Sequence, residues 1–500
     1  MIYLDWEDIK VALKDLSGIL QVLAIVMLVP VIATLIYTPS ADPFGILEDA
    51  SAFIIPSIIL YLMHKAIRAY VKTKQDTRTK HAMLTVVLVW MIIALVGALP
   101  FMIRGVLDPV DSFFESMSGW ATTGMTMIEH PEVIDRDIIF YRSWTHEIGG
   151  VGIIALGLIV LIQSGNVAMD YYSSEVGGQK IKPGIKSTVL ETWKIYLLYT
   201  LAGIVLLYIF GMTPFDAVNH AFAAIATGGF STHTDSIGYY DSVFIEVVIM
   251  FLMLAGAISF LVHYKIFNGD VKAFFRNVEA KYMLILVVIV AFICFWSLIG
   301  TDTVGVDTLS PSDVLRKSVF QTVSAISCTG FGTSNVGDWP ELPQTLIMIL
   351  MYIGGFYGST AGGIKLLRFA VIIKAVIFTV KRMLLPRHAI VSLRMGGKTV
   401  SQTELLYVLG LSMVYLVVAI VGAILIMALG YTGYESISTS LSAMGNVGIV
   451  YIQGSRWYDM HDFGKVVIAL LMWIGRLEIF PILMLLAPLY NKSGKPKKED

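Results

Sequence analysis

Ser324-Ala325-Ile326-Ser327-Cys328-Thr329-Gly330-Phe331 is one of four related stretches in this chain. The first reads Ser118-Gly119-Trp120-Ala121-Thr122-Thr123-Gly124-Met125, and the second Ala223-Ala224-Ile225-Ala226-Thr227-Gly228-Gly229-Phe230. The last reads Ser442-Ala443-Met444-Gly445-Asn446-Val447-Gly448-Ile449. Each ends in glycine followed by a large apolar residue. The four glycines, Gly124, Gly229, Gly330 and Gly448, are 105, 101 and 118 residues apart. That period is far too long for a solenoid repeat. It predicts four copies of a larger unit, the weak internal symmetry common in membrane transport proteins.

Composition points the same way. Of the 500 residues, 56% are hydrophobic and 15% charged, with mean hydropathy +0.75. Soluble domains carry roughly 25% charged residues, so the chain reads as an integral protein of a lipid bilayer. The net charge of −1 gives no hint of a nucleic-acid partner. The two cysteines, Cys294 and Cys328, lack any zinc or haem spacing, and nothing argues for a disulfide between them. The first apolar run is too long for a signal-peptide core and has no cleavage motif after it.

Crossing a bilayer takes about 20 apolar residues. Ten runs qualify: Leu16–Tyr37, Leu47–Ile67, Ala82–Ile103, Ile138–Ile162, Val189–Phe210, Val243–Phe267, Met283–Ile299, Thr345–Val380 (long and interrupted), Leu405–Leu429 and Val466–Leu489. Four shorter helical segments precede the repeated stretches: Asp111–Ala121, Phe215–Ala226, Ser312–Ser327 and Tyr434–Gly445. They are too short for a ~30 Å hydrocarbon core and read as re-entrant half-helices. The predicted fold is therefore an all-α integral membrane protein. A leading two-helix pair (1–80) is followed by four pseudo-symmetric units of helix, half-helix, filter strand and helix around one pore. The units cover 81–165, 186–267, 279–380 and 404–490, and a basic tail covers 491–500.

Lys and Arg gather in alternate loops, at Lys65–Lys80, Lys180–Lys186, Lys265–Lys281 and Lys381–Lys398, and in the tail. The positive-inside rule makes these cytoplasmic, with both termini inside a cell (inner) membrane crossed many times. The opposite loops are acidic, with Asp108, Asp111, Glu115, Asp241, Asp313 and Asp338 among them, and all four glycine stretches fall on that side.

Non-helical backbone survives at membrane depth only where it is buried in protein or lines a water-filled cavity. A single glycine in a membrane protein is ordinarily a packing residue; four in register, each after a half-helix, need another reason. Four such strands converging on one axis replace a cation's hydration shell with backbone carbonyls. Half-helices aiming their C-terminal, partly negative ends at the pore favour a cation there. The candidate cation-binding filter is Thr122, Thr123 and Gly124; Thr227, Gly228 and Gly229; Cys328, Thr329 and Gly330; and Asn446, Val447 and Gly448. A metal ion is expected at this filter only, as the transported ligand, and no cofactor is implied. The following Met125, Phe230, Phe331 and Ile449 are expected to pack outward as braces, and the outer carboxylates to concentrate cations.

Two features lie below the filter. Gly358-Ser359-Thr360-Ala361-Gly362-Gly363, with Lys365 closing it, interrupts the eighth run and reads as an intramembrane gate loop; a small-residue packing patch is the plainer alternative. Arg476 sits inside the tenth run, where a cation is costly and marks a functional site. It is expected to face the loop's carbonyls, or else to pair with Glu478. With so few side chains the loop is expected to be loosely held and bistable. His146 and Glu147 read as structural, and Asn219 and His220 as bonding their half-helix to its neighbours.

The stretches Ser118–Thr126, Ala226–Tyr240, Phe320–Phe331, Gly358–Lys365 and Gly475–Pro481 together resemble the signatures of the Trk/Ktr/HKT superfamily of potassium transporters, specifically its TrkH-type subunits. The fourth filter departs from the Asn-Leu-Gly-Pro pattern of bacterial TrkH and looks closer to Ktr-type proteins. The resemblance implies potassium uptake, one pore per subunit of a homodimer, and a cytosolic TrkA-type nucleotide-binding regulatory ring. It also supports the gate reading of the loop. No Gly-x-x-x-x-Gly-Lys-Ser/Thr occurs, and Gly150-Val151-Gly152 lies within an apolar run, so the chain does not read as an enzyme. Rival readings are a sodium-selective or sodium-coupled member of the superfamily, the ion-conducting subunit of a potassium-pumping ATPase, and an alternating-access symporter for an organic solute.

Overall fold

A computed structural model describes residues 5–37, 43–163, 185–299, 310–386, 392–396, 398–479 and 481–483. The ends of the chain, with the expected basic tail at 491–500, lie outside these residues. So do the basic positions 180–182.

Each half-helix begins with one local device. Asp108, Thr213, Ser310 and Thr432 accept a hydrogen bond from the backbone N–H three residues on. Pro109, Pro214 and Pro311 occupy the first helical position, where proline's missing N–H costs nothing. An acidic residue sits in each first turn, complementing the helix dipole. The half-helices are Pro109–Trp120, Pro214–Ile225, Pro311–Ile326 and Gly433–Gly445. At 12 to 16 residues they reach about 18–24 Å, short of a full span.

Packing joins the units in a closed cycle. The first helix of each unit is Thr79–Val96, Ile185–Ile209, Val278–Leu298 or Gln402–Met427. The helix after each strand is Arg136–Gln163, Val243–Ala257, Glu341–Ile353 or Asp462–Arg476. The second, third and fourth half-helices each pack on both helices of their own unit and on the later helix of the preceding one. The first packs on Asp462–Arg476 of the fourth unit, which closes the cycle. The four-unit arrangement is thus a ring within one chain. The leading pair, Trp6–Tyr37 and Phe44–Tyr70, stands outside it and packs on the first unit. Asp8 of that pair bonds Lys80 at 2.5 Å and His81 at 2.8 Å.

Among the described residues, six helices are long and apolar enough to cross a membrane, seven if the bent pair Val243–Ala257 and Phe260–Phe267 counts as one. Three of the ten expected runs are broken. The eighth was expected to be. The sixth bends by 106° at Ile258-Ser259, and carbonyls on its first side are taken by another unit: Phe356 N–H donates to Ala257 at 2.9 Å and Thr360 N–H to Gly256 at 3.1 Å. The tenth stops at Arg476, after which Glu478 and Ile479 take positive φ of 53° and 66°. A two-residue hairpin, Arg394–Met395 with Lys398–Thr399, is a small addition to the helical architecture. Both cysteines are free thiols.

Candidate functional site

All four half-helices end alike. Thr122, Thr227, Cys328 and Asn446 take left-handed φ of 50–56°. The next N–H bonds back five residues: Thr123 to Ser118, Gly228 to Ala223, Thr329 to Ser324 and Val447 to Ser442, at 2.8–3.0 Å. This is the glycine-type helix terminator built without glycine. Left-handed backbone is costly for a β-branched residue, and such strain persists only where the surroundings over-determine it, typically at functional sites.

Two residues on, Gly124, Gly229, Gly330 and Gly448 also have positive φ, 83–96°. Around them the strands close on one another. A Cβ on Gly124 would lie 2.2 Å from the Gly228 carbonyl oxygen, and one on Gly229 2.0 Å from that of Thr329. On Gly330 it would lie 1.9 Å from the Val447 oxygen, and on Gly448 2.4 Å from that of Thr123. Each glycine therefore faces the carbonyl one residue before the glycine of the next strand, and the fourth returns to the first. The result is a ring of four backbone oxygens with no room for any side chain between strands. Met125, Phe230, Phe331 and Ile449 are buried behind it. Such a ring presents only acceptors, and four half-helix C-termini add their negative ends, so its chemistry suits a cation.

The same logic acts one layer out. A Cβ on Gly149, Gly256 or Gly475 would lie 2.0–2.3 Å from the carbonyl of Trp120, Ile225 or Met444, each four residues before a ring glycine. These three glycines let the later helices reach the half-helix ends.

The glycine-rich loop is not loosely held, contrary to expectation. Ile364 and Leu366 N–H groups donate to Tyr352 and Gly355, and Tyr357 N–H donates to Glu279 at 2.8 Å, in addition to the bonds to the bent sixth run. Thr360 Oγ1 bonds the carbonyls of Gly256 at 2.9 Å and Ile225 at 3.1 Å. Gly358 is at positive φ, and Ser359 bonds the Phe356 carbonyl at 2.6 Å. Ala361, Gly362 and Gly363 lie close to other backbone, and a Cβ on Gly362 would be 2.1 Å from the Gly445 oxygen. Buried backbone groups need partners, and here neighbouring units supply them. Arg476, buried, donates to the Thr360 carbonyl at 2.8 Å and the Gly149 carbonyl at 2.9 Å. Glu478 is taken by Arg368 at 2.8 Å, with Lys365 3.9 Å away; Lys365 also donates to the Ala361 carbonyl.

His220 bonds its half-helix to the segment that follows strand two, as expected, whereas Asn219 bonds within the helix. His220 Nδ1 meets the Asp216 carbonyl and Nε2 meets Ser231 Oγ at 3.0 Å, while Asn219 donates to the Phe215 carbonyl. His146 stacks on Phe230, centroids 4.2 Å apart, and Glu147 accepts from Thr200 at 3.2 Å. Several outer carboxylates expected to gather cations are occupied. Asp111 pairs with Lys465 at 2.5 Å, and Asp241 and Asp313 flank Arg316. At the outer surface Thr234 bonds Glu132 across the first seam. Partial burial works to raise the Glu132 carboxyl, but those bonds and its own backbone hold it below the usual carboxylate range.

The residue most clearly missed from the sequence is Arg142. It is 2% exposed, pairs at 2.7 Å with Glu115, itself 0% exposed, and lies 4.1 Å over the Phe230 ring. It also donates to Thr126 Oγ1 at 3.0 Å and the Ser231 carbonyl at 3.2 Å, tying strand one to strand two. Glu115 is therefore a structural partner and not part of an outer attracting surface. The rule that singled out Arg476, a cation inside an apolar run, applied equally to Arg142. Replacing Arg142 by alanine strands a buried carboxylate, so a loss of about 3–5 kcal/mol is expected. Thermal unfolding of the purified protein measures it, and adding Glu115→Gln should recover part of the loss.

A family model described as "TrkH: Cation transport protein" matches residues 50–493. An uncharacterized cation transporter of Methanocaldococcus jannaschii is 34% identical over 488 residues, covering 97% of each chain. The Trk system potassium uptake protein TrkH of Vibrio parahaemolyticus is 34% identical over 430 residues, covering 84% of this chain and 88% of that one. The crystal structure of the potassium transporter TrkH from Vibrio parahaemolyticus superposes with TM-score 0.84 at 29% identity, covering 96% of this chain and 99% of that one.

Proposed function

Because the chain belongs to the TrkH family of cation transport proteins, we propose that it is a potassium uptake subunit with a channel-like pore. The observation that carries the reading is the closed ring in which each of four glycines faces the carbonyl of the next strand. Potassium, the only metal expected, is held there by Thr122, Thr123, Gly124, Thr227, Gly228, Gly229, Cys328, Thr329, Gly330, Asn446, Val447 and Gly448, through backbone oxygens that stand in for water. Each repeat supplies one such glycine where the potassium-channel filter has two, so the filter is short and its discrimination modest. The relatives named for potassium uptake support potassium over sodium.

The driving force in this reading is the membrane potential, about 2.3 kcal/mol per charge per 100 mV. The loop Gly358–Gly363, with Lys365 and Arg476, is the gate beneath the filter. A cytosolic nucleotide-binding ring of TrkA type acts on it through the basic segments that follow the loop. The protein works as a homodimer in the cell membrane with both termini cytoplasmic. A pore completed within one chain needs no shared axis, so a cross-linked dimer with one dead subunit should keep the flux of the other; complete loss would mean a shared pore.

The test is flux into liposomes holding the purified protein, with potassium, rubidium or sodium as sole cation. Potassium and rubidium should enter faster than sodium, driven by an inside-negative potential. Equal or faster sodium entry would favour the sodium-selective alternative, and uptake only of an uncharged solute would end the pore reading.

A further inference from the structure

Thr360 belongs to the loop, yet its side chain belongs to the filter's foundations. Its hydroxyl lies 3.1 Å from the carbonyl of Ile225, in the last turn of the second half-helix. It lies 3.2 Å from the hydroxyl of Thr227, the left-handed residue that opens strand two. It lies 2.9 Å from the carbonyl of Gly256, on the later helix of the same unit. Its own carbonyl is the one that Arg476 holds. One residue thus joins the end of a half-helix, a filter strand, the bent helix of unit two and the arginine of unit four.

Strand two has the most need of such support. It is the strand with two consecutive glycines, Gly228-Gly229, where the others carry Thr123, Thr329 or Val447 before the glycine. The first of the pair is imposed by packing: a Cβ on Gly228 would lie 2.3 Å from the His146 ring. Two adjacent glycines leave the backbone with the greatest intrinsic freedom. Phe230 fixes the strand from outside, under Arg142 and against His146. From inside, the Thr227 hydroxyl meets Thr360 Oγ1 at 3.2 Å, besides the carbonyl of the adjoining Ala226 at 2.7 Å.

We infer that Thr360 is a positioning residue for ion discrimination, coupling the loop to strand two so that the filter keeps its geometry only while the loop is seated. The inference rests on the filter reading above and goes beyond it. A loop that merely blocks the pore alters how much passes, whereas a loop that also braces strand two alters what passes. Discrimination then depends on the state of the gate.

The experiment is a double-mutant cycle on the potassium-to-sodium permeability ratio, measured in liposomes with Thr227→Val, Thr360→Val and the pair, alongside Thr360→Ser and Gly229→Ser. Thr227→Val should lower the ratio by about fivefold, the scale of one hydrogen bond, and Thr360→Val by at least as much. Thr360→Val also removes the bonds to the Ile225 and Gly256 carbonyls and should be the more severe single. The double variant should be little worse than it, because the bond to Thr227 is already gone. Thr360→Ser keeps the hydroxyl and should restore the ratio. If Thr360→Val does not fold, Thr227→Val against Thr360→Ser reads the same contact. Valine variants that change total flux while the ratio holds, with Gly229→Ser shifting it, would overturn the coupling and leave the filter standing. Additive effects in the cycle would also overturn it. A ratio unmoved even by Gly229→Ser would remove the filter reading and the inference together.

Discussion

Gly330→Ser abolishes potassium flux, or collapses its discrimination against sodium, in a protein that still folds. A Cβ there would lie 1.9 Å from the Val447 carbonyl oxygen, the tightest of the four ring positions. That oxygen is backbone and cannot swing aside as a flexible side chain can. The φ of 85° adds left-handed strain of about 1–3 kcal/mol for any residue with a side chain. Relief requires strands three and four to separate, which displaces the carbonyl itself. The four Gly→Ser variants should rank by closeness, with Gly330 and Gly229 the most severe and Gly448, at 2.4 Å, the mildest. Sole-cation flux in liposomes reads the result, with size-exclusion behaviour as the check on folding. Unchanged selectivity in all four would refute the assignment of these strands as the filter.

The second large effect is expected in the opposite direction. Arg476→Ala raises cation flux in the absence of any partner protein. Its guanidinium donates to the Thr360 carbonyl on the loop and the Gly149 carbonyl on the first unit. Hydrogen bonds from a charged donor contribute about 1.5–3 kcal/mol each, so losing the loop bond alone should favour the released loop by about tenfold or more. Most of the loop's other hydrogen bonds run to units two and three, and Arg476 is the side chain of the fourth unit that bonds the loop's own backbone, with Glu478 facing Lys365 beside it. Deleting part of Gly358–Gly363 should raise flux further. Arg476→Ala leaves the ring glycines in place, but a released loop no longer seats Thr360 against strand two, so the potassium-to-sodium ratio should fall as the flux rises. If neither variant conducts better than the parent with the fold intact, the loop is a packing feature and the gate lies elsewhere.

What could be read in the sequence was set by local chemistry. The half-helices and their terminating strands were legible because a too-short apolar segment and a following glycine are both local signals. Their starts were placed up to two residues late. Asp108-Pro109, Thr213-Pro214 and Ser310-Pro311 announce them through a capping side chain followed by proline. The bend at Ile258-Ser259 was invisible, because apolar content is the same in a straight helix and a bent one. What permits the bend is a set of donors supplied a hundred residues later, from Phe356 and Thr360. The pairing of Arg142 with Glu115 was likewise hidden: the acid looked like surface charge until the fold buried it. The loop was expected to be loosely held because its side chains are few; its backbone groups needed partners, and those come from residues such as Gly256 and Glu279, which no local signal pairs with it.

The cyclic packing has a consequence for biogenesis. A ribosome delivers the units in order, and the second, third and fourth half-helices each find the later helix of their predecessor already made. The first half-helix is different, because its neighbour Asp462–Arg476 is made three units later. Until that helix is made, the flank of Pro109–Trp120 that packs on it has no partner from the fourth unit. The ring closes at a single seam, where the fourth unit meets the first, so a chain that stops before the fourth unit leaves the ring open there.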